Sequence, residues 1–409
     1  MLPTTSECRI CSGVVNEFFD FGRQPLADAF REPGSDEQEF FYRLAVGACA
    51  DCTMVQLMEE VPRDRMFHNG YPYHSSGSVV MQAHFEETAK GFLAAELSGP
   101  DPFIVEIGSN DGAMLKVIAA AGVRHLGVEP SGGVADLAAA EGITVRKDFF
   151  EESTALETLE AHGTADVIYS ANTFSHIPYV DSVLKGVAAL LSPTGSFVFE
   201  DPYFADIVER TSFDQIYDEH FFLFSASSVA NMVTRFGLEL VDVKRLPTHG
   251  GEVRYTVAHA GSRPVSAAVA ELLREEREQG LTSTATLERF GANVEATRER
   301  LLEKLRSLRD AGKRVVGYGA TAKSATVLNY CGIDSDLVEF ICDSTPAKQG
   351  RLTPGSHIPV RKPEDFALPY PDYAVLFAWN HADEVIAKEQ GFRDAGGRWI
   401  RYVPEVTVL

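Results

Sequence analysis

The stretch Phe213-Asp-Gln-Ile-Tyr-Asp-Glu-His-Phe-Phe-Leu-Phe224 sets a carboxylate and an imidazole side by side among aromatic residues. Burial in such company moves the pKa of Glu219 or His220, and histidine is the usual proton acceptor near neutral pH. Tyr217 stands three residues before His220 and would share its face if the segment is helical. A lone histidine in an aromatic run is more often a satisfied structural residue, so the chemical reading rests on further polar groups. Asn172 and His176 follow an earlier strand, and Tyr71 and Tyr73 lie in a polar, aromatic stretch, residues 69–77, that could close over the site.

A second feature is Glu106-Ile-Gly-Ser-Asn-Asp-Gly112, at a strand-to-helix turn. Gly108 and Gly112 let the backbone turn tightly and approach a ligand. Asn110 stands where a dinucleotide fingerprint has its second glycine, which suits a ligand with no phosphate in this turn. S-adenosylmethionine is such a ligand, and Glu106, Asn110 and Asp111 would complete its cradle. Glu129, 21 residues after Gly108, is placed to accept the ribose hydroxyls. Asp148, or backbone beside Phe149, would reach the adenine amine.

Cys8-Arg-Ile-Cys11 and Cys49-Ala-Asp-Cys52 are two CxxC knuckles. Together they supply four thiolates, the full complement for tetrahedral zinc. A redox CxxC would not normally occur twice, nor ahead of any βαβ pattern. A four-thiolate site is saturated and cannot activate water, so its role should be structural, holding a segment with a small core. Further on, Val315-Val-Gly-Tyr-Gly-Ala-Thr-Ala-Lys-Ser324 joins a strand to a helix start. Free N–H groups there attract anions, and Lys323 adds a point charge. The spacing is not that of a nucleoside-triphosphate loop. NAD, with Asp343 on a ribose, is the competing use of this turn.

These groups need elements to hold them. Strand-like runs fall at residues 103–107, 125–129, 143–145, 166–171 and 196–200, alternating with helical patterns at 113–121 and 133–141. That alternation marks a doubly wound parallel sheet. A helix at 225–236 and strands at 238–245 and 253–257 complete the unit. A helical run is expected at 78–97, and a strand at 39–46 of the zinc segment. Residues 265–311 carry dense charge at helical spacing, read as a connector with a solvated face. A second α/β unit opens at Lys313, with strands at 338–342 and 374–378. The expected domains are 1–77 (zinc-binding), 78–264 (S-adenosylmethionine-binding methyltransferase), 265–311 (helical connector) and 312–409 (C-terminal Rossmann-like unit). The fold class is therefore α/β: a central Rossmann-like sheet between an N-terminal zinc-binding domain and a second Rossmann-like domain.

Composition bounds the functions open to the chain. Among 409 residues, 59 acidic groups against 37 Lys and Arg leave a net charge of −22, the wrong sign for duplex nucleic acid or anionic membrane. No apolar run approaches a membrane span, and the start of the chain has no secretory signal pattern. A cytoplasmic location is expected, with no nucleic-acid or membrane partner and the oligomeric state left open.

The order CxxC…CxxC, EIGSNDG, YDEHFFLFS, THGGEVRY and GYGATAKS resembles the dTDP-sugar 3-C-methyltransferases of antibiotic deoxysugar pathways, over essentially the whole chain. The resemblance implies an S-adenosylmethionine-dependent enzyme that methylates C-3 of a dTDP-linked 4-keto deoxysugar, with structural zinc. By it, His220 is the general base, Glu219 the assisting carboxylate, and Tyr217 and Tyr71 lie at the sugar. Asn172 would contact a sugar oxygen, with further substrate contacts at Tyr73, Ser75, His176, His249, Arg254 and Lys323. One departure is visible: many relatives have GGS-x-R where this chain has Gly250-Gly-Glu-Val-Arg254. The alternative enzyme reading is methyl transfer to oxygen or nitrogen of another small metabolite.

Overall fold

Phe103–Ile107 is buried along its whole length, as a parallel strand covered on both faces must be. In the computed structural model, which describes residues 4–68 and 73–409, this strand lies inside a seven-stranded sheet. The strand order is Leu238–Leu246, Glu252–His259, Leu191–Pro202, Ala165–Ala171, Phe103–Ile107, Arg124–Val128, Val145–Arg146. The last five run parallel, and the first two add antiparallel at one edge. The chain winds outward from Phe103–Ile107 on one side and returns to its other side at Ala165–Ala171. Loops beyond the carboxyl ends of those two strands diverge, and a crevice opens between them.

A smaller parallel sheet repeats the device near the C-terminus. Val360–Arg361, Ile341–Cys342, Val315–Tyr318, Tyr373–Leu376 and Arg398–Arg401 run parallel, and Thr407–Val408 closes the edge. Its own reversal falls between Val315–Tyr318 and Tyr373–Leu376, beside Lys323.

The N-terminal sheet is antiparallel: Thr5–Glu7, Val14–Pro25, Phe41–Cys49, Val55–Leu57 and then Phe222–Leu223. Its fifth strand is part of the YDEHFFLFS stretch. The zinc segment and the histidine motif are thus one hydrogen-bonded sheet, joined also by Leu57 N–H donating to the Phe221 carbonyl at 2.9 Å.

The connector is two helices, Ala267–Gln279 and Thr284–Asp310. Leu287, Phe290, Val294, Leu301, Leu305 and Leu308 form the buried stripe of the second. Phe290 meets Phe18 of the N-terminal sheet with ring centroids 6.2 Å apart.

Several expectations need correction. The third strand covers only Val145–Arg146, and the run at 338–342 forms strand only at Ile341–Cys342. The connector charge is not all solvated, because Glu276 is buried. Its carboxylate accepts N–H groups of Ala226 (2.7 Å) and Ser227 (2.8 Å) at the start of helix Ala226–Val233, and the Tyr203 hydroxyl at 2.8 Å. The histidine motif is not helical either: a 3-10 turn at Phe213–Gln215 leads through an irregular turn into Phe222–Leu223.

Candidate functional site

The glycines of the first turn are there for lack of room as much as for backbone freedom. Gly108 has φ +70°, and a Cβ on it would lie 2.4 Å from the Thr173 side chain across the crevice. Gly112 has φ +76°, and its Cβ would meet Ile143 Cδ1 at 2.2 Å. Between them Asn110 takes a left-handed conformation, φ +49°. Its N–H donates to Glu129 Oε2 at 2.9 Å, while Ser131 N–H donates to Glu129 Oε1 at 2.8 Å. Glu129 is buried at the end of its strand, and burial raises its pKa. Two backbone donors leave it free lone pairs for a ligand diol.

A cavity opens here, lined by Gly108, Asn110, Glu129, Phe149, Tyr73 and Ser75 among the expected residues. Glu106, Asp111, Gly112 and Asp148 do not line it. Glu106 is buried beneath the turn, its pKa raised by desolvation. Asp111 accepts the Ser76 hydroxyl at 2.6 Å, and Asp148 is held by Arg146 at 2.7 Å. These three shape the walls. Arg63, Phe67, Phe150 and Tyr179 line the cavity too, and no local motif announced them.

A second cavity lies between the central and C-terminal sheets. Tyr217, Glu219, His220, His249 and Lys323 line it, with Tyr73, Asn172 and His176. Those last three line both cavities, so the two spaces meet at them. Asp28, Gln215, Lys348, Asn380 and His381 also line the second and were not anticipated, and Asp343, the residue of the competing NAD reading, is on the same wall. Tyr71 lies outside the described residues. Arg254 lines neither cavity: it donates to Glu200 and to Thr88, each at 2.6 Å, inside the edge of the sheet.

His220 is buried and fixed on both ring nitrogens. Nδ1 lies 2.7 Å from the Gln215 carbonyl, which can only accept, so Nδ1 carries the proton. Nε2 is then an acceptor, and the Tyr217 hydroxyl donates to it at 3.0 Å. Burial, reinforced by neighbouring His176, holds the His220 pKa well below its usual value. The ring is therefore neutral at pH 7. His176 lies 5.2 Å away, centroid to centroid, with its own pKa lowered to about 3 by burial. Phe67 of the zinc segment stacks on His176 at 5.8 Å.

Glu252, the departure noted in the sequence, is fully buried and turned onto the protein. It accepts from Asn172 Nδ2 and from the Thr248 hydroxyl. Its carboxylate thus orients the Asn172 amide, whose backbone is left-handed at φ +49°. Lys323 is nearly buried, its pKa lowered by desolvation, with Nζ 3.4 Å from the His249 carbonyl and 5.9 Å from the Trp379 ring centroid. Asp214 and Glu252 act on it through space and offset part of that desolvation, and a cation at a cavity wall attracts an anion.

The four knuckle cysteines converge, with all four Sγ atoms within 4.8 Å of one another. Matched turns bring them there: Cys8 N–H reaches the Gly13 carbonyl and Cys49 N–H the Met54 carbonyl, each at 2.8 Å. Four clustered thiols with no carboxylate in the set suit structural zinc.

Three family models match consecutive stretches of the chain. A zinc binding domain covers residues 8–67, a methyltransferase domain 82–243, and a C-methyltransferase C-terminal domain 247–404. C-methyltransferase NovU of Streptomyces niveus is 36% identical over 411 residues, spanning 98% of this chain and 96% of NovU. Among solved structures, magnesium protoporphyrin IX methyltransferase of Synechocystis with bound SAM covers 44% of this chain and 79% of its own, at 11% identity and TM-score 0.33. The CcbJ methyltransferase of Streptomyces caelestis covers 43% and 90%, at 16% identity and TM-score 0.34.

Proposed function

The chain belongs to the C-methyltransferase family, and from that premise we propose that it methylates C-3 of a dTDP-linked 4-keto deoxysugar. The observation that carries this reading is the meeting of the two cavities at Tyr73, Asn172 and His176, with neutral His220 on the wall of the second. The sugar belongs in that second cavity and the donor in the first.

S-adenosylmethionine, when bound, supplies an electrophilic methyl group. The chain's own residues do the rest. A carbon beside a ketone becomes nucleophilic only after losing a proton. His220 Nε2 takes that proton once the Tyr217 hydroxyl, by rotating about its C–O bond, gives up the lone pair it holds. Nδ1–H stays on the Gln215 carbonyl and steadies the imidazolium. A positioned base of this kind contributes roughly 10²–10⁴-fold. The enolate oxygen needs donors, and the Asn172 amide, oriented by Glu252, is one such group. Reacting atoms must approach to about 3–3.5 Å, and the meeting of the two cavities at Tyr73, Asn172 and His176 supports such an approach. Lys323 and the N–H groups opening helix Ala322–Cys331 would take the diphosphate. No helix among the described residues is long and apolar enough to cross a membrane. A cytoplasmic location suits six free cysteines, four of them gathered as thiol ligands.

The test is incubation with labelled S-adenosylmethionine and a panel of dTDP-4-keto sugars in deuterated water, read by mass spectrometry and NMR. Deuterium exchange and a new methyl at C-3 are expected. C-3 and C-5 both flank the ketone, so exchange and methylation at C-5 would move the reacting carbon. Methyl transfer to oxygen or nitrogen without exchange would replace the reading.

A further inference from the structure

Arg63 belongs to the zinc segment, at the start of the short helix Arg63–Met66, yet it reaches the crevice of the central sheet. Its guanidinium carbon lies 4.1 Å from the Phe149 ring centroid and 4.6 Å from the Tyr179 ring centroid. Nη1 donates to Glu151 at 2.5 Å. Phe149 and Glu151 follow the strand Val145–Arg146, whereas Tyr179 follows Ala165–Ala171. One side chain therefore ties together two loops that rise from different strands of the sheet.

Arg63, Phe149 and Tyr179 all line the first cavity. A planar cation against two aromatic faces fixes the distance and tilt of both rings, and the Glu151 carboxylate fixes the cation. The two segments also meet where Glu152 N–H donates to Ser182 Oγ at 3.0 Å, but neither of those residues lines the cavity, and at its wall Arg63 is the side chain set against both rings.

We propose that Arg63 is a positioning residue of the donor site, holding the aromatic wall formed by Phe149 and Tyr179 where an adenosine can pack. The zinc segment thereby contributes to donor affinity without touching the reacting atoms. This rests on reading the first cavity as the S-adenosylmethionine site.

The experiment compares wild type, Arg63→Met, Arg63→Lys and Glu151→Gln. Calorimetry with S-adenosylhomocysteine gives donor affinity, and steady-state kinetics give KM for each substrate and kcat. Arg63→Met is expected to weaken donor binding about tenfold and raise KM for the donor, with KM for the sugar and kcat held. Arg63→Lys keeps the charge but not the planar stack and should fall between. Glu151→Gln frees the cation from one side and should give a smaller loss. Donor affinity unchanged in Arg63→Met, or kcat and both KM values worsening together beside a lowered Tm, would overturn the assignment and leave a structural role. Absence of donor binding by wild type would instead defeat the reading of the cavity.

Discussion

The Tyr217 hydroxyl and His220 Nε2 are 3.0 Å apart, and the other imidazole nitrogen is committed to the Gln215 carbonyl at 2.7 Å. One neutral tautomer is thereby selected, with its basic lone pair covered by a group that can swing away. Tyr217 is itself buried, its pKa well above the ordinary value through desolvation, so it donates rather than competes as a base.

From this geometry His220→Asn should lose at least about a hundredfold in turnover while binding donor normally. Tyr217→Phe should fall less, because the lone pair survives but is no longer aimed. Burial depresses the His220 pKa, so the unprotonated base persists below pH 6.5. The acid limb of kcat/KM is expected below that point, and a limb at or above it would contradict the assignment. The same shift has a stability sign: the unfolded chain binds the proton more readily, so the imidazole costs stability as pH falls below about 6.5.

What the sequence disclosed followed the range of the interactions involved. The FIVEI strand, the glycines of the first turn and the CxxC knuckles act within a few residues, and each formed where its spacing indicated. Tyr217 and His220 do meet, although through an irregular turn rather than the helix that their spacing suggested. Arg63, Asp28 and Lys348 reach the cavities from segments far away in the chain, and nothing local marks them. Glu276 reads as one more charge in a charged helix. Only the packing of two helices shows it capping Ala226–Val233.

Glu129 holds the first turn through Asn110 N–H and Ser131 N–H, and its remaining lone pairs face the first cavity. Glu129→Gln keeps one acceptor oxygen and should fold, yet it loses the charged acceptor. Donor affinity measured by calorimetry should fall by about tenfold or more, since hydrogen bonds to charged groups are worth about 1.5–3 kcal/mol. Unchanged affinity would remove Glu129 from the donor site.

Glu252 carries a raised pKa from burial, with Glu200 adding repulsion. A carboxyl whose folded pKa is raised stabilises the fold below its unfolded value and loses that contribution as pH rises through the folded value. Glu252→Gln cannot titrate, and it still offers Oε1 to Asn172. Its Tm should exceed that of wild type by a margin that grows above pH 4.5, with activity within a fewfold. Glu252→Ala leaves Asn172 and Thr248 without their acceptor, a cost of about 1–3 kcal/mol, and should lower turnover. Thermal scans at pH 5 and pH 8 with parallel assays separate the two variants.

Zinc removal is the broadest test, because the four-thiol cluster fastens more than its own knuckles. Val55–Leu57 begins three residues after Cys52 and pairs with Phe222–Leu223, which starts two residues past His220. Asn231 Nδ2 donates to the Cys52 carbonyl at 3.2 Å. Arg63 and Phe67, later in the same segment, line the first cavity. Loss of the metal leaves four thiols gathered within 4.8 Å with no ion to bridge the two knuckles, and the strand carrying the histidine motif loses part of its support. Metal analysis should give about one zinc per chain. Stripping it with a strong chelator should lower Tm and abolish turnover, with donor affinity falling in parallel and zinc restoring all three. Cys49→Ser should behave as the stripped protein does, since three thiolates and a hydroxyl bind zinc far less well. Chelated, zinc-free protein with full activity would show that the knuckles position nothing.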